Sequence, residues 1–170
     1  MKRLLLTVPI ALLALWGFAG PTLADSDSGS ALRTRLTGFQ EVPPILTNGH
    51  GTLTLRIRGD HIDYELTYSD LSSPATAAHI HFAQKGVNGG IVAFLCGGGG
   101  KPVCPPGGGR VTGTITPADI LAIPAQGLAA GNFAGAVRII RSGDSYGNVH
   151  TTNHPDGEIR GQIPGTDRED

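Results

Sequence analysis

Cysteine is scarce in this chain of 170 residues: Cys96 and Cys104 are the only two. The single methionine and the single tryptophan, Met1 and Trp16, both lie within the first 24 residues. The remainder therefore has no thioether to offer, which excludes copper(I) ligation of the methionine-rich kind. No basic run of any length occurs, so the electrostatic footprint of a nucleic-acid-binding protein is missing. After residue 20 no apolar stretch approaches the roughly 20 residues needed to cross a bilayer. No Ser-His-Asp pattern, nucleophile elbow or dinucleotide fingerprint is present. The glycine-rich stretch "CGGGGKPVCPPGGG" lacks the Lys-Ser/Thr pair that closes a phosphate-cradling loop, and reads as a surface loop.

What is present begins with the first 24 residues. Met1-Lys2-Arg3 leads into an apolar run from Leu4 to Gly20, and "PTLA" precedes "DSDSGS". This is the pattern of a secretory signal peptide ending at Ala24, and it predicts a secreted or periplasmic protein. Lys2 and Arg3 leave with the leader, so 13 basic residues fall to 11 against 14 acidic ones, a mildly acidic balance. The 146 or so remaining residues suffice for one domain with a single core. Residues 25–34 read as a flexible lead-in, 35–164 as the domain and 165–170 as a tail. In an exported protein, Cys96 and Cys104 are expected to form a disulfide across the seven residues between them.

Period-two alternation runs through the domain. "GTLTLRI" and "HIDYELTY" flank a Gly-Asp turn and predict a β-hairpin, which also accounts for the tripeptide "RGD" as turn chemistry. Further strands are expected at "AAHIHFA", "GGIVAFLC", "RVTGTIT", "FAGAVRIIRS", "GNVHTT" and "GEIRGQI". One short connecting helix is expected at "TPADILAI", with Thr116 as N-cap, Pro117 at the first position and Pro124 as its stop. Many short strands with regular turns predict an all-β fold, an antiparallel sandwich or barrel.

Six histidines populate the domain. Residues two apart on a strand share a face, so His79 and His81 in "AAHIHFA" project side by side. A third ligand has to come from elsewhere, and His150 in "YGNVHTTNHPDGEIRGQ" is the best placed. The other reading is two exposed histidines on a wet sheet face, hydrogen-bonded to water and carboxylates. In "GEIRGQ", alternation places Glu158 and Arg160 on one face and Ile159 on the other.

"LTGFQEVPPILTNGHGTLTLRI", "AAHIHFAQKGVNGGIVAFL" and "GNVHTTNHPDGEIRGQI" together resemble the signature blocks of the CHRD domain, the module found in chordin and in secreted bacterial proteins. The resemblance covers about residues 36–163. It implies an extracellular β-sandwich, immunoglobulin-like or superoxide-dismutase-like, and it places Glu41, His79, His81, His150, Glu158 and Arg160 in the family hallmark. His50, His61 and His154 fall outside it. By analogy only, an HxH pair plus a third histidine on such a fold is similar to the copper side of copper–zinc superoxide dismutase; the bridging histidine of that enzyme has no counterpart here.

Three functions follow as expectations. The first is metal binding by His79, His81 and His150, with copper preferred and zinc second. Glu41, Glu158, His154 and Arg160 are then candidates for a further ligand or for groups that orient the imidazoles. The second is a non-catalytic extracellular interaction or structural module, in which the same polar residues form a hydrogen-bond lattice. The third is redox or hydrolytic chemistry at an open coordination position, which no other residue specifies.

Overall fold

Alternating apolar and polar residues form strands wherever one face can be buried. The computed structural model, which describes residues 31–166, has eight of them. They are β1 (Leu32–Thr37), β2 (His50–Ile57), β3 (Ile62–Ser69), β4 (Ala75–Phe82), β5 (Gly90–Cys96), β6 (Gly109–Ile115), β7 (Ser145–Thr151) and β8 (Ile159–Gln162). The expected leader and the last residues of the expected tail lie outside the described residues. β1 takes in residues 32–34 of the expected lead-in, because Leu32, Thr34 and Leu36 alternate inward against Arg33 and Arg35. The β2–β3 hairpin forms as expected, with Leu53 opposite Leu66, Leu55 opposite Tyr64 and Ile57 opposite Ile62.

All pairings are antiparallel, in the order β5-β4-β7-β8-β1-β2-β3-β6. The sheet curls until its two edge strands, β5 and β6, come together, giving a nearly closed barrel around Leu53, Leu66, Ile80, Leu95 and Ile159. Tyrosine hydroxyls cross the seam. Tyr64 donates to the Leu95 carbonyl at 2.7 Å, and Tyr68 donates to the Pro105 carbonyl at 2.7 Å. The Cys96–Cys104 disulfide ties the loop that leaves the end of β5.

Two local expectations are overturned. "FAGAVRIIRS" is a helix, α1 (Phe133–Ser142), not a strand. Ala136 and Ile140, four apart, are its buried residues; Asn132 caps it by accepting from the Gly135 amide, and Gly143 ends it at φ 83°. "TPADILAI" makes only a 3-10 turn at Pro117–Asp119. The Asp119 carboxylate accepts from the Thr116 amide at 2.7 Å as the capping pattern requires. Beyond it the chain stays extended, because the Leu121 amide donates to the Val92 carbonyl of β5 and Ile120 and Ile123 are buried. The barrel thus has one short α-helix, in a different segment. Among the described residues no helix is long and apolar enough to cross a membrane.

Candidate metal centre

On β4 and β7, Ala78, Ile80 and Val149 fill the core, so alternation turns His79, His81, Tyr146, Asn148 and His150 to the opposite face. That face is not wet. His79 and His81 are 6% and 7% exposed, which rules out the picture of two solvated surface histidines. Phe94, Tyr146, His150 and the Gly89 carbonyl lie against them. His79 packs edge-on against Phe94, with ring centroids 4.4 Å apart. The His81 ring stacks on Tyr146 at 4.7 Å with the planes 4° from parallel.

The register brings the third imidazole in. His79 lies directly opposite Asn148, so His150, two residues further along β7, is its diagonal neighbour. His79 Nδ1 and His150 Nε2 are 3.0 Å apart. One nitrogen from each of His79, His81 and His150 falls within 4.8 Å of the others. Backbone carbonyls fix two of the tautomers. His81 Nδ1 donates to the Gly89 carbonyl at 2.9 Å, and His150 Nδ1 donates to the Pro155 carbonyl at 2.8 Å. Their Nε2 atoms therefore carry lone pairs. His79 Nε2 and His81 Nε2 are buried with no hydrogen-bond partner among the described residues.

Burial keeps these rings neutral. It pushes His79 down to about 3, with the His150 and His81 charges adding to the effect, and His81 down to about 4, against the opposing pull of the Gly89 carbonyl. His150 is lowered for the same reason, with the Pro155 carbonyl and Asp156 acting against it. At neutral pH the cluster offers unprotonated nitrogens, the form that binds a metal ion. An ion sits about 2.0–2.1 Å from imidazole nitrogens, so a three-coordinate arrangement sets pairs roughly 3.5 Å apart. Closing the widest pair takes ring rotation of about an ångström. The residues present fit an ion.

The other expected site residues have different roles. Glu158 precedes β8, follows Gly157 at φ 125°, and does not share surroundings with Arg160 as simple alternation placed it. Its carboxylate accepts from the Thr47 hydroxyl (2.6 Å), the Ser72 amide (2.7 Å), the Ser72 hydroxyl (2.9 Å) and the Thr151 hydroxyl (2.8 Å). A carboxylate so occupied is a structural tie. Arg160 lies 3.4 Å over the Tyr146 ring and donates to Asn88 Oδ1 and to the Gln84 and Val87 carbonyls, pinning the turn whose Gly89 carbonyl holds His81. Glu41 is buried but outside the histidine cluster, and burial pushes its carboxyl up to about 7 against the Arg160 charge and the Val42 amide. His154 also stays outside, lining the cleft beside Glu41. His50 and His61 turn to Asp70 and Asp60 on other surfaces.

Sequence reasoning passed over Tyr146 and Asn148. The signal was available, since both share the parity of His150 on β7 and so must share its face.

No curated protein and no solved structure matches the chain. The CHRD domain family matches residues 32–163, and with the three signature blocks, the barrel and the convergent histidines in place, the chain belongs to that family.

Proposed function

We propose that this CHRD-domain protein is exported and binds one metal ion through His79, His81 and His150, with copper preferred and zinc second. The observation that carries the reading is the convergence of three neutral imidazoles from two strands, two of them with buried Nε2 atoms that nothing else engages. Buried polar atoms without partners are costly, by about 1–3 kcal/mol each. Coordination of a cation by such a nitrogen removes its cost. An all-nitrogen donor set suits copper and zinc, and copper(II) is the tighter binder of the two. The leader-like residues 1–24 support export, and an oxidising compartment is consistent with the disulfide.

The hallmark residues divide into two groups on this reading. The histidines bind, while Glu158 and Arg160 hold strands and turns in place, as a hydrogen-bond lattice would.

The test is metal analysis of protein purified from the periplasm without chelators. Wild type is expected to carry close to one ion per chain, and the His79→Ala, His81→Ala double variant to lose it while retaining its β-structure. Wild-type protein that is metal-free and takes up neither copper nor zinc at micromolar concentration contradicts the reading.

A further inference from the structure

Asn148 stands where the three imidazoles meet. It lies opposite His79 across β4 and β7, and opposite Arg160 across β7 and β8. It is 2% exposed. Its amide oxygen is 3.1 Å from His150 Nε2. That nitrogen has no proton to give, because the His150 proton sits on Nδ1, in the bond to Pro155. An amide oxygen and an unprotonated imidazole nitrogen are both acceptors, so their approach is unfavourable without positive charge between them.

An amide turned over would put Nδ2 against His150 and remove the conflict, and such orientations are assigned from the surroundings. Here the surroundings oppose the turn. A Cβ on Gly157 would lie 2.6 Å from Glu41 Oε1 and 2.9 Å from Asn148 Nδ2, so both atoms crowd the same small space. Glu41 Oε1 is buried and lacks a hydrogen-bond donor among the described residues. In the structure the amide NH2 lies on the Glu41 side and the oxygen on the imidazole side.

We propose that Asn148 Oδ1 is a fourth donor to the ion held by the three histidines, and that it biases the site toward copper(II) over copper(I). Oxygen is a hard donor that suits a divalent ion, whereas copper(I) favours softer ligands. This role for Asn148 rests on the metal reading of the histidines.

The experiment measures copper(II) and copper(I) affinity by chelator competition, with copper(II) electron paramagnetic resonance, on wild type, Asn148→Leu and Asn148→Asp. Leucine is close in size and has no donor. It is expected to weaken copper(II) binding by about 10–100-fold, the range seen when a group supporting a metal site is lost, and to leave copper(I) binding nearly unchanged. Aspartate keeps the oxygen and adds charge, so it is expected to bind copper(II) at least as tightly with a shifted parallel hyperfine splitting. Wild-type affinity and spectrum in Asn148→Leu overturn the proposal, as does an equal loss of both oxidation states, which marks a merely structural role. If Asn148→Leu does not fold, an unchanged spectrum in Asn148→Asp overturns it. If wild type takes up no copper, the metal reading itself fails and the fourth donor with it.

Discussion

His79 Nδ1 and His150 Nε2 lie 3.0 Å apart although 71 residues of chain separate them. The contact exists because β4 and β7 pair antiparallel in a register that sets His79 beside Asn148 and one step from His150. A ligand seen only by the folded state stabilises it by mass action, about 2.7 kcal/mol at one hundred times the dissociation constant. Copper is therefore expected to raise the melting temperature of wild type by several degrees and to leave that of His81→Gln unmoved. Scanning calorimetry with and without copper checks this, and an equal rise in both proteins counts against the shared site.

Glu158 is expected to matter through stability alone. Glu158→Ala strands the Ser72 amide and the Thr47, Ser72 and Thr151 hydroxyls, and should cost about 2–4 kcal/mol in denaturant unfolding, given roughly 1–3 kcal/mol per buried group left unpaired. Burial works to raise this carboxyl, but the hydrogen bonds outweigh it and hold it below the ordinary value of 4.5. A folded-state value below the unfolded one means its stabilisation is full above about pH 4.5 and is lost as pH falls through the folded value. Glu158→Gln should flatten the acid limb of the stability curve in that window, while copper stoichiometry stays at the wild-type level. Loss of copper on this substitution would return Glu158 to the metal site.

Arg160 is expected to act at a distance. Its guanidinium holds the turn at Gln84, Val87 and Asn88, and that turn holds His81 through Gly89. Arg160→Lys keeps the charge but not the planar, multi-donor geometry. It should speed amide hydrogen exchange across residues 84–89 and weaken copper binding, with no change in stoichiometry at saturation. Exchange at the wild-type rate refutes this coupling.

Removing the disulfide should leave the site intact. Cys96 and Cys104 are 8 residues apart, and closing a loop that short stabilises by about 2–3 kcal/mol on a chain-entropy account. The Cys96→Ala, Cys104→Ala variant is expected to melt earlier by a corresponding amount and to bind copper as wild type does. Altered copper affinity would show that the loop reaches the site.

The strands carrying the site were legible because their alternation is strict: "AAHIHFA" and "GNVHTT" can only bury Ala78, Ile80 and Val149 by turning the histidines the other way. The burial of those histidines was not legible. It comes from groups outside the two strands, Phe94 against His79 and the turn ending at Gly89 against His81, and alternation carries no information about what covers a sheet. Glu158 was misplaced for a related reason, since period-two logic fails for a residue just outside the strand. Val137, Ile139 and Ile140 in "FAGAVRIIRS" are β-formers by type, yet Asn132 and Gly143 bracket ten residues with helix-ending chemistry, and the brackets prevailed. In "TPADILAI" the cap formed but the helix did not, because burying Ile120 and Ile123 beside β5 required an extended chain.

Anomalous diffraction at the copper absorption edge, on crystals of copper-loaded protein, addresses the central claim with the least inference. The account predicts one strong peak among His79, His81 and His150, about 2 Å from a nitrogen of each. A peak elsewhere, or none at full loading in solution, contradicts it.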